Sequence, residues 1–455
     1  MRISVVGLGK LGAPLAAVLA SKGFDVTGAD LNADTVAVLN AGRAPALEPG
    51  LQECIDRGRP HLHTTTDIAE AVSCSDVTFV IVPTPSGTDG TFSNTHVIAA
   101  VRSIGAALRT KADYHLVVIT STVMPGSTGG PIREALEVAA GRSVGETIGL
   151  CYGPEFIALG SVIRDMLNPD FYLVGELDSR SGDVLEGIYR AMCDNGAPVR
   201  RMSFVNAELA KIAINTYVTT KISFANMLSD VCERLPGADA TVVAAALGQD
   251  GRIGSKYLAP ALGYGGPCFP RDTTAFASMA GKLGARADIV EAADQVNRYQ
   301  PVRMVELVRR LLARGAIGIL GLSYKPNTPV IEGSQGVEIA MLLADAGYRV
   351  VVHDPQAQHA AMAVMRDKVE AVDSPEECAA AVNLLIIATP WPNFSKFSHA
   401  ALRRQGGRLI VIDCWHQLPT AEFADVVELV YLGQNGDDFS WAEEYVEPKG
   451  QFAKA

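Results

Sequence analysis

At 455 residues the chain is too long for one hydrophobic core and calls for roughly two to four domains. With 48% hydrophobic and 20% charged residues, it has the balance of an ordinary soluble globular protein. A formal net charge of -11, with no Lys/Arg cluster to offset phosphate repulsion, argues against a nucleic-acid partner.

The first element is the strand in MRISVVGLGK, an apolar run too short and too broken by glycine to be a signal peptide. No apolar span of about 18 residues occurs, so a cytoplasmic chain with no membrane partner is expected. Gly7, Gly9 and Gly12 follow the strand as GxGxxG and open a helix pattern, while Asp30 closes the second strand, FDVTGAD. The first glycine permits the tight turn, the second lets a pyrophosphate approach the backbone, and the third lets helix and strand pack closely. The helix N-terminus offers N–H groups and a partial positive charge to the phosphates. Asp30 would hold the adenosine ribose hydroxyls and repel a 2′-phosphate, so NAD is expected rather than NADP. Two further strands, in DVTFVIVPTP and YHLVVITSTVMPG, lead into TPS (84–86) and STVMPG (121–126), which should line the cleft at the carboxyl ends of this sheet.

Continuous apolar runs point to strands buried on both faces, as in a parallel sheet, and place a first doubly wound α/β domain at 1–200. Residues 206–235, with neither Gly nor Pro, predict one helix about 45 Å long that joins two domains or forms a dimer interface. It lies in a helical domain at 201–304. On it Lys211 and Asn215 are one turn apart and share a face, flanked by Ile212, Ala213 and Ile214. The pair is either an exposed lysine beside a polar neighbour or a polar island aimed at a cleft, able to stabilise an alkoxide. In GYGGPCFPRD (263–272), Cys268 is either a small buried hydrophobe or a nucleophile. Gly265 and Gly266 allow a ligand close to the backbone, Arg271 favours the thiolate, and Asp272 could act as a base for water.

A second set of strands, in AIGILGLSYKPN, YRVVVHDP, VNLLIIATPWP and GRLIVIDCW, repeats the layout and predicts a second doubly wound domain at 305–440. It has Gly318 and Gly321 but Ser323 where a third glycine would stand, so it lacks the same fingerprint. YKPN (324–327) should line its cleft, with Trp391 packed near the mouth. Residues 441–455 read as a polar, flexible tail. The eight cysteines contain no CxxC pair and the eight histidines no HExxH, so neither disulfides nor a metal is expected.

GLGKLGAPLA, EPGL (48–51), PTPSGTDG, STVMPGST, GPEF (153–156), NPD (168–170), AKIAINTYVTTKISFAN, RIGSKYL, GGPCFPRD and GLSYKPNT, in that order, make the chain resemble the UDP-glucose/GDP-mannose dehydrogenase family over nearly its whole length. The resemblance implies an α/β fold of two Rossmann-like doubly wound domains joined by a long central helix and helical dimerisation segment. It also implies NAD in the first domain, a nucleotide sugar (UDP-glucose by default) reaching the second, and a homodimer. Cys268 would be the nucleophile, Lys211 and Asn215 would bind the reacting oxygen, and Asp272 and Glu155 would assist water and proton transfer. Thr84, Pro85 and Thr122 would touch the cofactor. Arg252, reaching across the dimer interface, would join Phe156, Tyr257, Gly265, Phe269 and Lys325 around the substrate. Such a site oxidises a primary alcohol to the acid in two hydride transfers, trapping the aldehyde as a thiohemiacetal that becomes a thioester and is then hydrolysed.

Four positions depart from the family pattern: Leu159 stands for a carboxylate, Arg271 for a lysine, and Glu332 and Trp415 for arginines. Arg271 is no simple exchange, because its planar fork is not a point charge. An altered recognition shell, taking an unusual nucleotide sugar or a nucleoside phosphate, is therefore the alternative. The β-hydroxyacid dehydrogenases offer a different reading, since they share GxGxxG and the Lys/Asn pair but make one hydride transfer without a thiol. A non-catalytic nucleotide sensor is a third, and it would have no need to keep Lys211, Asn215, Cys268 and Asp272 together.

Overall fold

The computed structural model describes residues 1–404 and 407–435, so the tail expected at 441–455 lies outside the described residues. The chain forms two compact units: Met1–Asn215 with Thr274–Arg286, and Thr216–Thr273 with the chain from Ala287 onward. The division falls inside the helix Phe204–Arg234, which is the long helix expected over 206–235, and inside a second helix, Phe269–Lys282.

The first unit is built on an eight-stranded sheet: β1 (Arg2–Val6), β2 (Asp25–Ala29), β3 (Leu62–Thr65), β4 (Val77–Val80), β5 (His115–Ile119), β6 (Ile148–Tyr152), β7 (Tyr172–Glu176) and β8 (Val199–Met202). Their order is β3-β2-β1-β4-β5-β6-β7-β8, parallel throughout except where β7 runs antiparallel to β6. Side chains alternate between the two faces of a strand, and both faces here are covered. Ile3, Val5, Leu116 and Val118 pack into one core, and Val6, Val117 and Ile119 into the other. The apolar run Leu116–Ile119 of β5 follows from this two-sided burial, as does the mostly apolar β1, where Ser4 is the one buried polar side chain.

The second unit carries a six-stranded, fully parallel sheet of β9 (Ala316–Leu320), β10 (Arg349–His353), β11 (Glu370–Ala371), β12 (Leu384–Ile387), β13 (Leu409–Asp413) and β14 (Val427–Tyr431). The order is β11-β10-β9-β12-β13-β14. In each sheet the strand order reverses beside the first strand, between β1 and β4 and between β9 and β12, and a crevice at the carboxyl ends is the expected ligand position there. Among the described residues no helix is long and apolar enough to cross a membrane, and no group of His, Cys, Asp or Glu could hold a metal ion.

Candidate active site

At the end of β1 the chain turns through Gly7, whose φ of +94° suits glycine. A Cβ on Gly7 would collide with the carbonyl of Ile81, and one on Gly12 with the carbonyl of Gly7 itself. Gly9 is different. It is exposed, and no heavy atom lies within 4 Å of where its Cβ would be. The turn is thus tight below and open above, which fits a pyrophosphate lying against the backbone ahead of the helix Gly12–Ser21. Asp30, half-buried at the end of β2, accepts one backbone N–H on each oxygen, from Leu8 at 2.6 Å and Asn32 at 2.8 Å. Its fixed carboxylate suits the ribose hydroxyls of NAD.

Beyond β4 and β5 the two loops are stapled together. The Thr84 hydroxyl donates to the carbonyl of Thr122 at 2.8 Å, and the Ser121 hydroxyl to the carbonyl of Val82 at 2.7 Å. Thr84 is buried, Thr122 half-buried and Pro85 exposed, all at the carboxyl end of this sheet. The loop after Thr122 is held by a residue that sequence reasoning missed. Glu208, buried on the long helix, accepts the N–H groups of Gly126 at 2.6 Å and Thr128 at 2.7 Å. Its signal was present in the sequence, since Glu208 lies one turn before Lys211 and shares its face.

Lys211 and Asn215 are each only 8% exposed, which removes the reading of an exposed lysine. The Lys211 ammonium donates to the backbone carbonyl of Glu155 at 2.6 Å and sits 4.7 Å from the centre of the Phe156 ring. Phe156 in turn packs on Phe171 with ring centres 5.0 Å apart. Burial pushes the Glu155 carboxyl up to about 7, with the nearby Lys211 charge opposing the shift. A carboxyl of that kind is suited to exchange protons near neutral pH.

The remaining residues belong to the second unit. Cys268 is exposed, not a core hydrophobe, and immediately precedes the helix Phe269–Lys282, whose first backbone N–H groups give a partial positive charge. One turn on, the N–H of Asp272 donates to the carbonyl of Cys268 at 2.8 Å. The Asp272 carboxylate is buried and accepts from Arg271 at 3.0 and 3.1 Å, so Arg271 is committed to Asp272. Gly265 and Gly266 press this loop onto its neighbour: a Cβ on the first would strike the carbonyl of Gly333, and one on the second the ring of Tyr324. Lys325 follows that tyrosine. Phe269 meets Tyr264 edge-on at 6.3 Å, while Asn297 bridges both backbone groups of Tyr264.

Arg252 and Tyr257 are both exposed; Arg252 is chelated by Asp250, and Tyr257 has a φ of +65°. Lys221 ties the loop between them to the long helix through the carbonyls of Ile253 and Gly254, at 3.2 Å each. Of the departures not yet placed, Leu159 packs on the first unit's core and Glu332 is exposed. The Trp415 indole donates to the carbonyl of Ala388 at 2.9 Å.

Sequence profiles of the UDP-glucose/GDP-mannose dehydrogenase family match three segments: its NAD binding domain over residues 1–193, its central domain over 205–299 and its UDP binding domain over 318–420. The chain is 36% identical to the UDP-glucose 6-dehydrogenase AglM of Haloferax volcanii, covering 87% of this chain and 92% of that one. It is 33% identical to the GDP-mannose 6-dehydrogenase of Pseudomonas aeruginosa, covering 79% and 82%. Among solved structures, a UDP-glucose dehydrogenase from the archaeon Pyrobaculum islandicum superposes with a TM-score of 0.85 at 38% identity, over 94% of this chain and 96% of that one.

Proposed function

The chain belongs to the UDP-glucose/GDP-mannose dehydrogenase family, and on that footing we propose that it oxidises the primary alcohol of UDP-glucose to the carboxylate in two NAD-dependent steps, tethering the intermediate on Cys268. That it is an NAD-dependent nucleotide-sugar dehydrogenase follows from the family itself. The thiol, the residue roles and the sugar are our reading. NAD, when bound, accepts a hydride at each oxidation; everything else falls to side chains of the chain.

In the first oxidation, the Lys211 ammonium and Asn215 amide hold the reacting oxygen and stabilise the alkoxide, while Glu155 exchanges the proton. The Cys268 thiolate then adds to the aldehyde carbon and forms a thiohemiacetal, which the second oxidation converts to a thioester. Water attacks the thioester carbonyl with Asp272 as the base, and the acid leaves as the thiol is restored. Arg252, Tyr257, Gly265, Phe156, Phe269 and Lys325 surround the sugar nucleotide. The observation that carries this reading is an exposed thiol at the head of a helix, one turn from a buried carboxylate. A reduced thiol and NAD also suit the cytoplasm.

UDP-glucose should yield two NADH per acid formed, and acid-quenched mass spectrometry should find the acyl group on Cys268 when Asp272→Asn slows hydrolysis. One NADH per turnover together with full activity of Cys268→Ser would overturn the tether and favour a single-hydride enzyme. A panel of UDP-, GDP- and dTDP-sugars, run alongside, tests the sugar and base.

A homodimer fits the same reading. Tyr217, Phe224, Met227 and Val231 are exposed at heptad-like spacing on the long helix, joined by Leu235 just past its end and by Val242 and Val243 on the next helix. Arg252, paired with Asp250 but exposed, would then reach the nucleotide sugar bound by the partner.

A further inference from the structure

The second sheet lacks the full fingerprint, since Ser323 stands where the first has Gly9, but it repeats the first and third glycines and the closing aspartate. Gly321 ends β9 with a φ of +102°, as Gly7 ends β1 with +94°. Gly336 lies in the first turn of the helix Gln335–Asp345, where a Cβ would strike the carbonyl of Gly321, just as one on Gly12 would strike that of Gly7. Asp354 closes β10 as Asp30 closes β2, and the N–H of Leu322 donates to it at 2.7 Å, matching the 2.6 Å bond from Leu8 to Asp30. The parallel ends at the carboxylate.

Asp30 is half-buried and accepts two backbone N–H groups. Asp354 is 3% exposed and accepts six donors. One oxygen takes the N–H groups of Leu322 and Ser323, the Ser323 hydroxyl, and the indole N–H of Trp391 at 3.1 Å. The other takes the N–H groups of Gln356 and Ala357 at 2.8 and 2.6 Å. No lone pair remains for a ribose. Trp391, 5% exposed, also reaches the Ser323 hydroxyl at 3.2 Å, and Thr389 donates to the carbonyl of Ser323 at 2.8 Å. The Gln356 and Ala357 bonds fix Asp354 itself, and the others fix the turn from Leu322 to Ser323, which leads into Tyr324, whose ring faces Gly266, and then into Lys325.

We propose that Asp354 and Trp391 are positioning residues: a ribose handle of the duplicated fold has become an internal clamp that holds the Leu322–Tyr324 turn and so sets Lys325 toward the nucleotide sugar. The proposal rests on the placement of Lys325 in the substrate shell given above. Both residues are buried and bonded to the turn, so the effect passes through it.

Steady-state kinetics of the full-length enzyme with UDP-glucose and NAD test it. Trp391→Phe keeps a buried aromatic ring and removes the indole N–H shared by Asp354 and the Ser323 hydroxyl, so KM for UDP-glucose should rise about tenfold while kcat stays within about twofold and KM for NAD is unchanged. Asp354→Asn should raise the same KM further. In a Lys325→Ala background, Trp391→Phe should add nothing, because the group it positions is gone. If Lys325→Ala raises KM but Trp391→Phe lowers only Tm, the clamp is merely structural and the proposal fails, while the substrate shell stands. If Lys325→Ala leaves KM unchanged, the shell assignment fails and the clamp with it. Should Asp354→Asn not fold, Trp391→Phe alone decides.

Discussion

Glu155 links burial to rate and to stability. Its carboxyl, raised to about 7 by desolvation, is mostly protonated below that pH. If the carboxylate form accepts the proton, kcat should fall as pH drops through 7. Glu155→Gln should remove that limb and cost roughly 100-fold in kcat, read from pH–rate profiles of both proteins. The stability effect runs the other way. Since the folded carboxyl holds its proton more tightly than the unfolded one, near 4.5, stability declines as pH rises from about 4.5 to 7, and Glu155→Gln should flatten that slope in thermal melts. Gly12→Ala forces a methyl onto the Gly7 carbonyl and should raise KM for NAD by at least about tenfold, with a lower Tm. These glycines and Asp30 were legible in the sequence because their spacing alone dictates the turn. The exposure of Cys268 and the burial of Lys211 were not, because either residue type supports two readings until its neighbours in space are known.

At the scale of elements, the loop after β5 depends on the long helix. Glu208 alone pairs the N–H groups of Gly126 and Thr128. Glu208→Ala leaves both unsatisfied and should cost about 2–3 kcal/mol of stability while raising KM for NAD, because the Thr122 loop is released; denaturant melts and kinetics check the two effects together. Strands buried on both faces, such as β5, β9 and β12, announced themselves as apolar runs. Strands β3 (LHTT) and β8 (VRRM) did not, because each forms a sheet edge and is polar enough to pass for loop. Strand β7, which turns against β6, gave no warning either, since reversal of direction leaves no mark on composition. The spacing of Glu208 before Lys211 marks its helix face but not its partners; Gly126 and Thr128, like the Leu322, Ser323 and Trp391 partners of Asp354, lie far off in sequence, where no local spacing rule reaches.

For the molecule as a whole, the apolar row on the long helix should hold two copies together. Phe224→Glu with Val231→Glu is expected to give a monomer by light scattering, and to raise KM for the nucleotide sugar if Arg252 serves the partner's site. A wild-type protein that elutes as a monomer at micromolar concentration would overturn the assembly. The sulfur atoms, finally, are distributed unevenly. Cys54, Cys151, Cys232, Cys378 and Cys414 are buried, Cys193 is half-buried, and Cys74 and Cys268 are exposed. Burial pushes the Cys378 thiol up to about 12 and raises the Cys151 and Cys414 thiols too, which makes them poor nucleophiles. Peroxide or an alkylating reagent therefore meets Cys268 among the first. Under the proposed tether, a chloroacetamide tag in a Cys74→Ser background becomes a head-count of competent enzyme molecules, and oxidative stress should lower catalytic output through the same thiol.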